Sequence, residues 1–413
     1  MLVTVAPFHS STRTITSTMA DTDSDDEYRR VHLPLSQNDN KCAACHKSVP
    51  KIKLCSGCKE RVYCSGACQK EDWKFHKSYC GKTEGLDLDA FRPLLAWMAN
   101  VSHIHRDKPI HFAMLHKIIN NCNPDTPWVE LSDGRQARLV VVDDRQPPIF
   151  PYSDPMVWWP LAQSAPVARK MQRRILYTGY VLPILTAVAG SLLSEIYTTT
   201  SRAGSHDKRV RLQYRSSPIA DFGICRGAAR VVAEDRLVFY SMKTRKFIGD
   251  QDPKDHYWLY FTSVKGEEVY LDFSMYPFNF THLVNTVGYP PPQQAGVVTS
   301  VPCFWSEREL RKRNLSLYTE QDRVSVLRNT KLQEAMQHCS NHMTDWDLNV
   351  FHIFMEAFSK KNLTATEKAL FNSWLWESCR TLGEVLDTQL YKTYPKEPQT
   401  AFELDPNETL DGA

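Results

Sequence analysis

Seven cysteines and one histidine crowd into residues 42 to 80, in the order Cys42, Cys45, Cys55, Cys58, Cys64, Cys68, His76 and Cys80. Their spacing is C-x2-C-x9-C-x2-C-x5-C-x3-C-x7-H-x3-C. Each close pair can hold one side of a tetrahedron around a metal ion, so four pairs make two complete zinc sites. A disulfide framework fits poorly: seven is an odd number, the eighth member is a histidine, and no secretory segment is read ahead of the cluster.

Zinc also answers a folding problem. A stretch of about 40 residues cannot bury enough apolar surface to fold alone, whereas a structural zinc contributes on the order of 10 kcal/mol at neutral pH. With four protein ligands on each ion no position is left for water, so both ions are expected to be structural and not catalytic. His46 follows Cys45 directly, out of register with the pairs, and is expected to be a solvated side chain.

The run CAACHKSVPKIKLCSGCKERVYCSGACQKEDWKFHKSYC closely resembles the MYND zinc finger. Non-ligand residues carry the likeness too: Arg61-Val62-Tyr63-Cys64 is similar to the family's R-Y-C strand, and Gln69 with Asp72-Trp73-Lys74 to its final helix. The resemblance implies a cross-braced arrangement, with Cys42, Cys45, Cys64 and Cys68 on one ion and Cys55, Cys58, His76 and Cys80 on the other. It also implies a shallow groove for an extended proline-rich peptide, at positions matching Ser56, Gln69 and Trp73. The chemistry suits such a ligand, since a tryptophan face packs on a preformed polyproline segment at little entropic cost and a glutamine can bond its backbone. The competing role for Trp73 is hydrophobic anchor of the small module.

Nucleic acid is a poor partner for this segment. Eight Lys or Arg between Lys47 and Lys77 face Glu60, Glu71 and Asp72, but seven thiolates and two Zn²⁺ cut the balance to about +2. No helix here presents the Arg, Asn and Gln set that reads base edges.

The rest of the chain must position and present this module. Residues 1–40 read as a disordered tail; the first eighteen are expected to be dispensable or a start-site extension, because Met19-Ala20-Asp21 resembles an ordinary cytosolic start, against only a faint presequence signal. The finger occupies 41–81, a mixed α+β domain 82–300 and a helical region 301–413. The chain of 413 residues carries a net charge of +3, which names no partner. Cys122, Cys225, Cys303, Cys339 and Cys379 are widely spaced, as reduced intracellular thiols are, so the nucleus or cytoplasm is the expected location.

Ile175 to Ser194 runs twenty residues without a charge, behind Arg169, Lys170, Arg173 and Arg174. Gly179, Pro183 and Gly190 dilute it, so a buried helix is expected in place of a membrane span. Strands are expected around Val210–Tyr214, Leu237–Met242, Tyr257–Val264 and Glu268–Phe273, the last two joined in a hairpin by Lys265-Gly266-Glu267, with an extended loop at Gly288–Pro292. From Ser306 the pattern reads as helical: Thr364 to Glu367 forms a capping box, and Phe371, Trp374, Leu375, Leu382, Val385 and Leu386 share a core face, with Trp346, Phe351, Phe354 and Phe358 in a similar role.

Two enzyme readings compete with an interaction protein. In some MYND proteins the finger interrupts a SET lysine methyltransferase domain, and Gly266-Glu267-Glu268 is superficially similar to a SET motif, but the order fails because no Asn-His pair precedes it; the pair Asn341-His342 comes later. Cys225, His256 and Asp272 loosely resemble a transglutaminase-like, papain-fold triad, in which the cysteine begins a helix and the other two lie on adjacent strands. The blander alternative is a buried core cysteine and a surface histidine that never meet. His103, His105, His111 and His116 lack the i,i+4 spacing of a helical metal pair and are expected to be solvated or capping.

The sequence thus predicts an α+β protein: a cross-braced two-zinc MYND finger followed by a larger mixed region and helices. Its expected function is a zinc-binding, intracellular protein–protein interaction adaptor for partners with proline-containing segments, in a setting such as transcriptional regulation, with no specific nucleic-acid contact and no membrane. The alternative is a Cys-His-Asp acyl-transfer or hydrolytic enzyme that the finger recruits to substrates, and the non-enzymatic reading is preferred.

Overall fold

The computed structural model describes residues 41–48, 53–58, 61–77, 80, 83–143, 154–197, 209–249, 251–294, 296, 298–307, 317–337, 343–406 and 408. The tail expected at 1–40 and the Asn341-His342 pair lie outside them.

The finger supplies β1 (Lys53–Leu54), β2 (Val62–Tyr63) and α1 (Gly66–His76). Then β3 (Thr83–Asp87) runs into α2 (Leu88–His103), which Asp87 caps by accepting from the Asp89 amide at 3.1 Å. Strands β4 (Val129–Glu130) and β5 (Gln136–Val142) form a hairpin, and three helices follow: α3 (Pro155–Trp158), α4 (Ala165–Leu176) and α5 (Val181–Leu192).

The strand-rich stretch comprises β6 (Arg209–Tyr214), β7 (Ser217–Ala229), β8 (Leu237–Ser241), β9 (Lys246–Gly249), β10 (His256–Ser263), β11 (Glu268–Asp272), β12 (His282–Asn285), β13 (Ser300–Pro302), β14 (Phe304–Glu307) and β15 (Tyr318–Ser325). The chain closes with α6 (Thr330–Gln337), α7 (Asp345–Ser359), α8 (Ala365–Asp387) and β16 (Thr400–Phe402).

Strand β7 organises the body. The main sheet runs β14-β11-β10-β7-β6-β3, and β15 also pairs with β7. All its pairings are antiparallel except β3 with β6. The β10–β11 hairpin forms over the predicted turn, where Gly266 adopts φ +83°. A second sheet, β4-β5-β8-β9, carries its own apolar cluster around Val140, Val142, Trp158, Trp159 and Phe239. In it the two indole N–H groups donate to the carbonyls of Ala113 and Asn120.

The uncharged run at 175–194 is not one helix. It breaks at Gly179 and Tyr180, both at positive φ, into α4 and α5. Helix α5 is buried and packs on α8, where a Cβ on Gly190 would stand 2.8 Å from Leu375. Two of the four basic residues ahead of the run are engaged inside the protein: Arg174 donates to Pro277 O, and Lys170 lies 3.0 Å from Asp405. Among the described residues no single helix is long and apolar enough to cross a membrane; α4 and the helical stretch 181–197 would do so only together, and they bend by 73°.

Three expectations are corrected. The helical texture expected from Ser306 begins only at Thr330, because β14 and β15 join the sheet first; β15 is largely exposed and polar, so its backbone pairing with β7 overrides its weak strand signal. Trp346 is 57% exposed: on α7 it shares an outward face with Ile353, while Phe351, Phe354 and Phe358 point into the core. The largest apolar cluster runs from Leu86 to Tyr394, so the segments on either side of residue 300 share one core. The capping box at Thr364 and Glu367 forms as read.

A Cβ on Gly223 of β7 would meet Val324 O of β15 at 2.0 Å, a backbone atom that can move only with its strand. Gly223→Ala should therefore destabilise the fold by about 1–3 kcal/mol, measured as a lower denaturant midpoint, whereas Gly66→Ala, with open space around it, should not through contact.

Candidate metal centre

The finger's ligands arrive from four short pieces. Cys42 and Cys45 sit on a turn closed by His46 N donating to Cys42 O at 2.8 Å. Cys55 and Cys58 follow β1, Cys64 follows β2, and Cys68 and His76 lie on α1 with Cys80 just beyond. β1 and β2 pair antiparallel, with Lys53 opposite Tyr63, and Ser65 caps α1 by accepting from the Cys68 amide at 3.2 Å.

This scaffold gathers two groups, Cys42, Cys45, Cys64 and Cys68, and Cys55, Cys58, His76 and Cys80, with all ligand atoms of a group within 4.8 Å of one another. That is the interleaved, cross-braced arrangement. The Cys45–Cys64 and Cys64–Cys68 sulfurs are 3.7 and 3.4 Å apart, Cys55–Cys80 3.5 Å, and Cys58 Sγ to His76 Nε2 3.4 Å. A tetrahedron with Zn–S bonds of about 2.3 Å has edges of about 3.8 Å, so the cages match zinc in size as well as donor type. His46 is exposed and belongs to neither group.

Electrostatics argue for a cation at each centre. Burial alone would raise the Cys42 thiol, but backbone N–H groups of Cys45, Cys64 and Ala44 bring it down to about 6. In the same group the Cys68 and Cys42 thiols push Cys64 up to about 12. Burial and Cys55 do the same to Cys80 in the other group. Crowded thiolates oppose one another's ionisation, and only a divalent ion lets all of them be charged together.

One structural residue escaped the sequence reading. Asp72 is buried on α1 and accepts from Arg61 Nε at 2.6 Å, Arg61 Nη2 at 2.9 Å and Tyr63 OH at 2.7 Å. Burial raises its pKa, but Arg61 and Tyr63 outweigh it and hold the carboxyl below its usual range. These bonds lock β2 to α1, and with them the ligands of both ions. The signal was available as an arginine and a tyrosine beside Cys64, with an acid four residues after Cys68.

The groove positions fall near one another along the scaffold. Gln69 and Trp73 are one helical turn apart on α1, and the Gln69 amide reaches Cys55 Sγ at 3.7 Å, beside exposed Ser56. Trp73 is 42% exposed, its ring 6.0 Å from that of His76.

The second candidate constellation assembles only in part. His256 Nε2 lies 2.6 Å from Asp272 Oδ2, both fully buried, and Asp272 also accepts from Tyr318 OH and from Ser274. Cys225 does not begin a helix; it lies within β7, directly opposite Trp258. Burial pushes its thiol far above the usual range, and its hydrogen-bond partner is Glu320. Among the described residues no hydrogen bond links Cys225 to His256. The histidine cluster divides as well: His111 caps a short turn by accepting from Ala113 N, whereas His103 is buried against Tyr177, 5.0 Å between rings, because the end of α2 packs inward instead of meeting solvent.

Comparison with known proteins agrees with this geometry. Residues 42–80 match the family model described as the MYND finger. SET domain-containing protein 14 of Caenorhabditis elegans is 42% identical over 48 residues, 12% of this chain and 11% of that protein. Human N-lysine methyltransferase SMYD2 is 38% identical over 48 residues, with the same coverage. SET domain and MYND-type zinc finger protein 6 of Schizosaccharomyces pombe is 46% identical over 39 residues, 9% of this chain and 8% of that protein. The chain thus spans only about a tenth of the length of these curated relatives. No solved structure matches it.

Elemental analysis of the purified protein should find two zinc ions per chain. Asp72→Asn, which leaves every ligand in place, should weaken zinc retention about tenfold in a chelator titration. Cys225 should resist iodoacetamide at neutral pH in the folded protein and react on unfolding; rapid native alkylation would restore it as a nucleophile.

Proposed function

We propose that the protein is an intracellular adaptor whose zinc-held finger grips a proline-containing segment of a partner protein. The finger is a zinc-binding protein-interaction module, and its four-ligand sites leave no open coordination position for catalysis. The observation that carries the finer reading is the exposure of Trp73 one turn beyond Gln69. The finger's interior is filled by the ligand cysteines and Tyr63, so an anchoring role does not account for the exposed tryptophan. An extended proline-rich strand lying across Trp73 would meet an aromatic face and, at Gln69 and Ser56, polar groups for its unpaired carbonyls and amides.

Reduced thiols and thiolate ligands suit the nucleus or cytoplasm, and recruitment of partners in transcriptional regulation is the setting we favour. The lysine methyltransferase activity named for SMYD2 is not carried over, because the likeness ends with the finger.

The test is fluorescence polarisation of the full zinc-loaded chain with a library of proline-containing peptides. At least one should bind, and the double variant Gln69→Ala/Trp73→Ala should lose about tenfold or more in affinity while still holding two zinc ions. Unchanged affinity in that variant, or no binding across the library, would refute the groove.

A further inference from the structure

A pocket of ≈ 300 Å³ opens in the body, far along the chain from the finger, where the β4–β5 hairpin, the start of β8 and the turn 251–254 ahead of β10 come together over Phe278. Ligand sites favour such seams between packed units, and the volume lies at the lower end of their range. Here the seam joins the four-stranded sheet's cluster to the aromatic cluster that contains Phe278, Trp258 and Tyr318.

The lining carries three cationic side chains against two carboxylates. Arg135 is already committed to Asp133 at 2.7 Å. Arg236 and Lys254 also line the pocket, and neither side chain has an ion pair or hydrogen bond among the described residues. The other acid in the wall, Asp252, accepts from the backbone amide of Lys254. Gln251, also in the wall, is held in place by Gly179 N, which donates to its carbonyl oxygen. Leu237 and Phe278, both largely buried, form the apolar part of the wall.

We propose that this pocket binds a metabolite-sized organic anion, with a phosphate or carboxylate held by Arg236 and Lys254 and its carbon skeleton against Leu237 and Phe278. The guanidinium fork gives paired, planar hydrogen bonds to such a group, and the lysine adds a point charge.

The test is ligand-observed NMR on the full zinc-loaded chain with glucose 6-phosphate, adenosine monophosphate and citrate, alongside glucose and adenosine as neutral parents. At least one anion should bind at millimolar concentration or below, and a bound phosphate ester should bind about tenfold more tightly than its neutral parent. Arg236→Gln and Lys254→Gln should each weaken it several-fold, whereas Arg106→Gln, a 90% exposed control, should not. If Arg236→Gln misfolds, Lys254→Gln on its exposed turn carries the test alone. Binding by citrate alone would assign the head group as carboxylate, and by the esters alone as phosphate. No binding by any anion, equal binding of anion and parent, unchanged binding in the folded variants, or equal weakening by Arg106→Gln would each overturn the proposal.

Discussion

Crowding of thiolates is the constraint on which the finger depends. Eight ligand atoms are drawn into two small cages by two short strands and one helix, and within each cage one thiol's ionisation is won at a neighbour's expense. A module this size has little apolar interior to oppose that repulsion, so the cation is a part of the fold and not cargo. The Arg61–Asp72–Tyr63 lock serves the same end, because it fixes the angle between β2 and α1 on which the ligands converge. Ligand spacing makes zinc possible; this lock makes the spacing converge.

Legibility followed the range of the physics. The ligands were readable because a tetrahedron imposes short local spacing, and the β10–β11 hairpin because glycine in a tight turn is equally local. What failed was long-range. β15 has a polar sequence that is a strand only because β7 offers it a partner from nearly a hundred residues away. Trp346 looked like core by residue type, yet the turn of α7 carries it outward. Asp72 was legible as a charge but not as a lock, since its partners lie on another element. The interleaving of the two ligand groups came from family likeness, because spacing alone admits other pairings.

The His256–Asp272 pair shows why a catalytic constellation is hard to separate from a structural one in sequence. Adjacent antiparallel strands bring a histidine and an aspartate together whether the pair is to move protons or to hold a core. Here both side chains are buried, Tyr318 and Ser274 occupy the carboxylate further, and Tyr318 lies parallel to the imidazole. A carboxylate so fully satisfied is fixed in place, which suits orientation of its neighbour but shuts out solvent and substrate. The cysteine that would complete a triad is two residues along β7 from the position opposite His256, and it bonds to Glu320 instead.

The division of labour along the chain follows from where each part finds its stability. In the finger, ligands and the Asp72 lock consume nearly every inward-facing position, so residues between ligands, Ser56 and Trp73 among them, are left to face outward. The body is stabilised differently, by a continuous apolar cluster running from Leu86 to Tyr394 with no ligand cysteine of the finger in it. Loss of zinc would then remove the finger's binding surface while leaving the body's core intact.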